Sequence, residues 1–324
     1  MSSNFPNGFG NGVTIRGLPL QQVHPGEVLW VNNSTVLAKG GVGGSNGNNG
    51  TYKKPFSTLE YALSKTKASR GDVIVIMPGH AETVGSATAL NFDTAGVAIV
   101  GLGSGNLRPT FTLDTANTAT IPVSGADMSV TNIKFVGNFL SIASCFTVAA
   151  APNFSIENCD FTDTSAILGF LTIVTTTVSV DANGLNFSGN RVKSDATTTP
   201  GPAVSILGTV TDVTINDNHI VHTVASNNIS ALLEHAALVI TDLKLMRNIV
   251  HSVNTDTATG GLLVKTTATT GSGIIAHNRI KALDVAAAII ITAAAVQYGA
   301  FDNLYTGETT LLSGFVLPAI ATDA

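Results

Sequence analysis

Charged residues are scarce in this chain of 324 residues: Asp, Glu, Lys and Arg together make up 11%, whereas ordinary soluble domains contain roughly a quarter. This composition excludes a coiled coil or a helical bundle, which would be rich in Glu, Lys, Leu and Arg. Aromatic residues are also few, at 6%, but 44% of the chain is hydrophobic and the net charge is only −5, which excludes intrinsic disorder. The 16 Lys and Arg residues face 21 Asp and Glu residues, so nucleic-acid binding is not expected.

Cysteine and long apolar runs are lacking as well. Cys145 and Cys159 are too few for a disulfide framework or a four-thiolate metal site. The longest apolar run, 285–296, contains Thr292 and is too short to span a bilayer. The first residues have neither the basic start nor the apolar core of a signal peptide. We therefore expect no cofactor, no metal and no membrane partner.

The first 50 residues are rich in Gly and Asn, and the stretch 40–50 carries the weakest structural signal of the chain. A short apolar run, Val28-Leu29-Trp30-Val31, contains the only tryptophan. These features predict an extended arm over residues 1–50, which docks onto another surface through Trp30, Val28 and Val31.

A helix start follows this arm. The run Ser57-Thr58-Leu59-Glu60 has the spacing of a capping box, in which Ser57 and Glu60 satisfy each other's backbone donors. The pattern predicts a short helix over 57–67. Such a helix would cover the open N-terminal end of a repetitive body, whose terminal edges would otherwise be unpaired.

A repeat begins near residue 130. One position recurs about every 20 to 30 residues and is mostly asparagine, while the residues five and three before it and two after it are almost always apolar. The residue four before it is mostly polar, so the pattern alternates as in strands. The residues at the recurring position are Asn138, Cys159, Asn190, Asn218, Asn248, Asn278 and Asn303.

A repeat of this length with a strand, a turn and a second strand predicts an all-β solenoid, a single-stranded parallel β-helix. Asparagine suits the bend because it tolerates left-handed backbone torsions, and stacked asparagines can bond to the next coil, ~4.8 Å away. We therefore predict an asparagine ladder at that position and a β-helix over 51–305. Residues 306–324 are apolar without the repeat and are predicted to form a C-terminal cap or an inter-chain segment.

Two segments carry a resemblance to a known family. Residues 44–59, with the run Lys54-Pro55-Phe56, and residues 71–80, which end in Pro78-Gly79-His80, resemble the opening of pectin-lyase-like right-handed β-helices. The run 28–34 and the turn 78–82 resemble virion-associated β-helix proteins of tailed bacteriophages. The resemblance implies a right-handed β-helix, and it covers both tail spikes that degrade glycans and decorating proteins without catalysis.

No catalytic constellation stands out. Glycan cleavage needs two carboxylates at a working separation or a metal-bound acid cluster, but the acids here are scattered. The nearest groupings, Asp160 with Asp163 and Asp212 with Asp217, are interpreted as solvated turn residues. The run Arg279-Ile280-Lys281 resembles an element of polygalacturonases, but the paired aspartates of that family have no counterpart. We predict no catalytic residues.

The repeat does place basic residues together. One and three residues after the recurring position, side chains point outward, and several successive coils carry a cation there. This predicts a cationic stripe, either an ordinary solvated face or a docking face for an acidic partner or an anionic glycan. Its members are Arg191, Lys193, His219, His251, Arg279 and Lys281.

The sequence hypothesis is therefore a non-enzymatic structural virion protein, a homotrimeric capsid decoration or head fibre assembled in the host cytoplasm. Its expected partners are its own copies, other virion proteins such as the major capsid protein, and a host surface glycan. Two alternatives remain open. One is a tail spike with glycan hydrolase or lyase activity, and the other is a glycan-binding adhesin without catalysis.

Overall fold

The structure is a computed structural model. It describes residues 14–15, 18–19, 26–35, 37–177, 181–195, 201–223, 232–235, 239–252, 263–266, 271–282, 290–291, 296–307 and 313–315. Strands dominate this part of the chain, and they form three long sheets that share one core. A two-residue pair, Thr14–Ile15 with Leu18–Pro19, is antiparallel and separate from them. Among the described residues, no helix is long and apolar enough to cross a membrane.

The first sheet contains ten parallel strands, which follow one another in chain order. They are Val28–Val31, Val73–Ile76, Ala98–Gly101, Ser129–Thr131, Ser155–Glu157, Asn186–Ser188, Val210–Asn216, Ile240–Met246, Gly271–Ala276 and Val296–Phe301.

The second sheet also contains ten strands in chain order, and only the last is antiparallel to its neighbour. They are Ala81–Val84, Thr110–Leu113, Lys134–Gly137, Asp160–Asp163, Arg191–Ser194, His219–His222, Ile249–Ser252, Arg279–Ala282, Leu304–Gly307 and Ser313–Phe315. The third sheet contains seven parallel strands: Ile121–Val123, Phe146–Val148, Val174–Thr176, Val204–Ile206, Leu233–His235, Val264–Thr266 and Ile290–Ile291.

The chain passes from the first sheet to the second, then to the third, and then back to the first one coil further along. Each strand pairs with the equivalent strand of the preceding and following coils, so the coils stack about 4.8 Å apart. Crossovers between parallel strands of one sheet are right-handed. The predicted fold, a right-handed parallel β-helix, is confirmed.

The core consists of side-chain columns along the helix axis. Strand residues alternate between buried and outward positions, and residues in register on successive coils lie above one another. Phe111, Phe135 and Phe161 form one such column, in which the rings of Phe135 and Phe161 are stacked with centroids 5.3 Å apart. Stacking of like apolar side chains buries them completely, which stabilises the solenoid through the hydrophobic effect.

The β-helix begins earlier than the sequence predicts. Val28–Val31 is the first strand of the first sheet and pairs in parallel with Val73–Ile76, so these residues belong to the body and not to an extended arm. Val31 is fully buried. The Gly-rich stretch after this strand is also ordered by contacts, since Asn46 accepts hydrogen bonds from the backbone and hydroxyl of Ser57. Fixed turns, and not flexibility, account for the glycines of this stretch.

The predicted helix is shorter, spanning Leu59–Leu63, and its cap differs from the prediction. Thr58 is the N-cap and accepts from the Tyr61 backbone, while Ser57 is bonded to the Asn46 turn instead. Leu59, Ala62 and Leu63 are buried against the first coils. Glu82 also caps this helix, because its carboxylate accepts the Leu59 N–H at 3.0 Å.

An asparagine ladder runs along the turn between the first and second sheets. In Asn248 the side-chain oxygen accepts the backbone N–H of Asn218 at 3.0 Å, and the amide donates to the Ile215 carbonyl at 2.8 Å. The same two bonds recur from coil to coil, each to the coil that precedes in sequence. The residues of the ladder are Asn190, Asn218, Asn248, Asn278 and Asn303.

Asn138 does not belong to this ladder. Lys134 and Phe135 pair with Asp160 and Phe161, so the residue in register with Cys159 is Ile133, five positions earlier than predicted. The side chain of Asn138 instead donates to Asp114 at 2.9 Å. The residues five and three before Asn138, Ile133 and Phe135, are buried as the repeat pattern requires, so the alternation of apolar residues does not reveal the error.

The reason given for asparagine at the bend also needs correction. The residue with left-handed torsions is the one before the ladder position, with φ between 53° and 68° on successive coils. It varies freely in type: Asn158, Gly189, Asp217, Arg247 and His277. The ladder asparagines are therefore selected by their buried hydrogen bonds and not by backbone conformation.

The last described coil closes with a reversal of direction. Ser313–Phe315 pairs antiparallel with Leu304–Gly307, which ends the parallel order of the second sheet. The other residues of the predicted C-terminal segment lie outside the described part of the chain.

Candidate functional site

The six predicted basic residues lie together on the outer face of the second sheet. Register places Arg191, His219 and Arg279 in one column, with Ile249 between the last two. Lys193, His251 and Lys281 belong to the neighbouring column, two residues further along each strand. The residues between the columns, such as Ile220 and Ile280, point into the core. We call the six residues, Arg191, Lys193, His219, His251, Arg279 and Lys281, the basic face.

A groove of about 490 Å³ lies on the C-terminal part of this face. Its walls carry His219, His251, Arg279 and Lys281, and the exposed side chains of Ile249 and Leu304 lie between them. We call this part of the basic face the basic groove. A smaller depression of about 150 Å³ continues it toward the N-terminus, beside Lys134, Asp160, Arg191 and Lys193.

Few acids balance these cations. Asp160, at the N-terminal end of the face, forms an ion pair with Arg108, with 2.6 Å between Nη1 and Oδ2. Asp195 is paired with Lys193. Within the described residues, neither Arg191 nor Arg279 forms an ion pair. The face therefore presents positive charge to solvent, although the whole chain is acidic.

His219 responds to this environment. Partial burial lowers the pKa of His219, and the charges of Arg191 and His251 lower it further. A cationic imidazole is disfavoured there because burial removes water from the ring and because Arg191 on the preceding strand is a cation. An anion bound in the basic groove would reverse this effect, since it would favour the protonated ring.

Asp163 is not the solvated turn residue that the sequence predicts. Its side chain is buried and accepts hydrogen bonds from the Phe170 backbone, the Ser194 hydroxyl and the Asp195 backbone, all within 3.0 Å. A cavity of only about 10 Å³ adjoins it, and His222 also borders that cavity. These three hydrogen bonds connect neighbouring coils, so the Asp163 carboxylate is a structural anchor between them.

His222 is buried beside this anchor. Burial lowers the pKa of His222 to about 4, and its Nδ1 has no hydrogen-bond partner among the described residues. Asp212 lies within the strand Val210–Asn216 of the first sheet and pairs with Lys244, while Asp217 follows that strand and pairs with Arg247. In the described part of the chain, no three His, Cys, Asp or Glu residues are grouped so that they could hold a metal ion.

The three residues of the predicted docking arm have different surroundings. Val28 is exposed, Val31 is buried, and Trp30 is half-buried against Tyr52, with ring centroids 4.9 Å apart. The backbone N–H of Trp30 donates to the Gly50 carbonyl, and its C=O accepts from the Phe56 N–H. The accessible part of this region is a small patch formed by Val28, Trp30 and Tyr52, which we call the aromatic patch.

Three members of the basic face region escaped the sequence analysis. Lys134 extends the column of Arg191, since it pairs in register with Asp160, but the misplacement of Asn138 concealed it. Ile249 and Leu304 occupy outward positions of the same column, but they carry no charge and are therefore not part of the predicted stripe. Exposed apolar residues at outward positions are the signal that would have revealed the groove.

Comparison with known proteins finds similarity in fold alone. No protein-family model matches the chain, and no curated protein matches it in sequence. A rhamnogalacturonan lyase structure is similar, with a TM-score of 0.37 and 13% identity over 85% of this chain and 87% of that chain. The pectate lyase Pel9A is similar with a TM-score of 0.34 and 16% identity over 86% of this chain and 70% of that chain.

Proposed function

We propose that this protein is a non-enzymatic structural protein of a tailed-bacteriophage particle, a capsid decoration or head fibre. In this proposal it acts as a homotrimer, and its N-terminal region docks onto the major capsid protein or another virion protein. The motifs of residues 28–34 and 78–82, which resemble those of virion-associated β-helix proteins, support the proposal.

The proposal that the protein is not an enzyme rests on the hydrogen bonds and ion pairs of its carboxylates. Every carboxylate in the described ranges accepts a hydrogen bond or pairs with a cation, including the buried Asp163 and the surface residues of the turns. A glycosidase needs one carboxyl whose pKa is raised so that it can act as a general acid. Burial alone would raise the pKa values of Asp72 and Asp195, but their hydrogen-bonding and cationic partners outweigh it and lower both, and Arg247 lowers the pKa of Asp217. This favours a scaffold over a hydrolase.

The aromatic patch supports docking at the N-terminal end. It lies on the first coil, where the solenoid starts, and Val28 and Tyr52 are each about half exposed. Aromatic side chains that offer apolar area next to backbone polar groups are enriched in protein interfaces. Attachment at this end would leave the other coils projecting from the particle.

Cryo-electron microscopy of purified particles that contain the protein tests the docking role. We expect three copies in contact, with the aromatic patch against a virion protein. The full-length variant with Trp30→Ala and Tyr52→Ala should lose particle binding, whereas a control with Leu102→Ala and Leu107→Ala, exposed apolar residues elsewhere, should keep it. Contact with the particle through another surface of the protein, or unchanged binding of the first variant, would refute the assignment.

A glycan-cleaving tail spike is the second candidate, and the basic groove with its Arg279-Ile280-Lys281 strand favours it. Incubation of the full-length protein with acidic and neutral polysaccharides separates the two functions. We expect no new reducing ends and no unsaturated products. Release of oligosaccharides would establish the enzyme and refute the structural role as the sole function. Binding without release would fit the third candidate, a glycan-binding adhesin.

A further inference from the structure

The outward side of the first sheet changes character along the helix axis. On its first three strands the outward side chains are all apolar, whereas on the next four strands they are all polar, beginning with Ser129 and Thr131. Register places the apolar ones in two columns, with neighbours about 4.8 Å apart. A sheet side that faces only water normally carries polar residues. We call these six residues the apolar face: Val28, Trp30, Val73, Val75, Ala98 and Val100.

Lysines lie beside this face. The turn 51–54 is closed by two backbone hydrogen bonds between its first and last residues, of 3.0 and 3.1 Å. It carries Tyr52 of the aromatic patch and presents Lys53 and Lys54 to solvent. Lys39 lies in a neighbouring turn, whose following residue donates its N–H to the Lys53 carbonyl at 2.9 Å. All three lysines are exposed, and within the described ranges none of them takes part in an ion pair.

The charge of the chain is divided unevenly between its two parts. Residues 1–72 contain seven Lys and Arg against three Asp and Glu, whereas residues 73–324 contain nine against 18. Two of the three acids in the first part, Glu27 and Asp72, are engaged by Arg70. The N-terminal end therefore attracts an acidic surface, while the same surface repels the rest of the solenoid.

The form of this surface favours a protein partner. An apolar centre with a polar, charged rim is the usual anatomy of a protein interface, in which tyrosine and tryptophan are enriched. Apart from Val28, the aliphatic members of the apolar face are only partly exposed and lie level within the sheet. They can cover a flat complementary surface, whereas a lipid bilayer is bound by apolar side chains that insert into it.

We propose that the apolar face and the three lysines dock together onto an acidic protein surface. Apolar side chains of the partner cover the face, and its Asp and Glu carboxylates pair with Lys39, Lys53 and Lys54. This inference rests on the proposed function, in which the N-terminal region attaches to a virion protein, and it names the chemistry of that partner. Repulsion between the partner and the negative remainder of the solenoid directs the helix axis away from the particle.

Co-sedimentation of the full-length protein with particles assembled without it tests the charge of the partner. We expect the affinity to fall at least about tenfold between about 50 and about 500 mM NaCl, because salt screens exposed charge pairs. The variant Lys53→Glu, Lys54→Glu should bind at least about tenfold more weakly at the lower salt concentration, and the difference should shrink at the higher one. The control Arg191→Glu, Arg279→Glu makes the same charge change on the second sheet and should bind like the natural protein.

The variant Val75→Thr, Val100→Thr tests the apolar part of the surface. Threonine keeps the branched shape that suits a strand, and circular dichroism checks that each variant is folded. We expect at least about fivefold weaker binding at both salt concentrations, because the contribution of buried apolar area is not screened by salt. The control Val136→Thr, Val221→Thr changes two outward valines of the second sheet and should bind like the natural protein.

The outcomes separate this inference from the proposed function. Binding of the natural protein that is insensitive to salt and to the lysine variant would overturn the acidic partner but leave attachment to the particle intact. No binding of the natural protein at either salt concentration would refute both. Vesicles of equal parts phosphatidylcholine and phosphatidylserine are the comparison ligand. Tighter binding to these vesicles than to the particles would identify a lipid surface as the partner and would overturn the proposal.

Discussion

At the scale of single residues, each ladder asparagine forms several buried hydrogen bonds through one short side chain. Asn248 accepts from the backbone and side-chain amides of Asn218, and it donates to the Ile215 carbonyl and to Asn278. No other side chain of similar size could serve all four groups at once, because this pattern needs one acceptor and two donors. The geometry of these hydrogen bonds, and not hydrophobicity, therefore determines why asparagine occupies the ladder positions.

Replacement of Asn248 by Ala should therefore destabilise the protein strongly. Buried donors and acceptors on two neighbouring coils would be left unsatisfied, and we expect the free energy of unfolding to fall by about 3 kcal/mol. Asn138→Ala is the matched control, since the side chain of Asn138 is half-buried and donates to the side chain of Asp114, and the loss should be less than about 1 kcal/mol. Urea unfolding of both variants measures the difference, and equal losses would contradict the role of the ladder.

The buried His222 predicts how stability depends on pH. Its pKa in the folded protein is about 4, below the ordinary value of 6.5, so folding favours the neutral ring. The free energy of unfolding is therefore unaffected by this ring above pH 6.5 and decreases as the pH falls toward 4. The decrease is about 2 kcal/mol at pH 5.

The variant His222→Gln should reduce this loss between pH 7 and pH 5, as measured by urea unfolding at both pH values. The variant His277→Gln is the control, because His277 is exposed and paired with Asp302 in a turn. If the two variants retain the same acid sensitivity as the natural protein, His222 does not determine it.

At the scale of elements, the turns and strands differ in how far the sequence predicts them. The alternation of apolar residues predicts the two strands on either side of the ladder position, which lie in the first and second sheets, because burial on one side of a sheet is a local property of the strand. The strands of the third sheet are not predicted by the repeat. Which strand stacks on which depends on loop length, and a loop can change without any change in the alternation. Asn138 was misplaced for this reason, and Lys134 was missed with it.

The first 50 residues show the opposite error. Their Gly and Asn content predicts an extended arm, but composition alone does not identify a glycine that lets two backbones approach closely. In the structure, Gly44 lies directly on the Asn32 carbonyl, so a side chain there would overlap it. The neighbouring Gly43 has open space around its Cα.

These two glycines give an element-scale prediction. Gly44→Ala should displace the turn that covers the first strand, and it should lower the urea midpoint by an amount equivalent to at least about 2 kcal/mol. Gly43→Ala should be neutral or slightly stabilising, because it restricts only the unfolded chain. Thermal and urea unfolding of both variants decide the point, and a harmless Gly44→Ala would mean that the turn does not support the first coil.

At the scale of the whole molecule, the solenoid makes stability a property of neighbouring coils. Each coil contacts the one before and the one after, so energetic coupling should be short in range along the axis. The basic face follows from the same regularity, because outward residues at equal offsets must share a column. Its charges were therefore predictable from the repeat, whereas the groove was not, since its walls depend on the sizes and exposures of Ile249 and Leu304.

Double-mutant cycles test this short range. Asn218→Ala and Asn248→Ala lie on adjacent coils and share a hydrogen bond, so their combined effect should differ from the sum by about 0.5 to 3 kcal/mol. Asn190→Ala and Asn278→Ala are separated by two coils that carry Asn218 and Asn248, and their effects should add within about 0.5 kcal/mol. Strong coupling of the distant pair would show that the solenoid responds as one rigid unit.

The direction of the ladder bonds bears on how the chain is made. Every ladder side chain donates to a backbone carbonyl of the coil that was synthesised before it, so this partner has left the ribosome when the asparagine emerges. The bonds from Asn218, Asn248 and Asn278 to the next ladder asparagine can form only when the following coil has been made. Each new asparagine can form its hydrogen bond to the preceding coil before the following coils have been synthesised. The solenoid thus has a built-in order of assembly from its N-terminus, in step with translation.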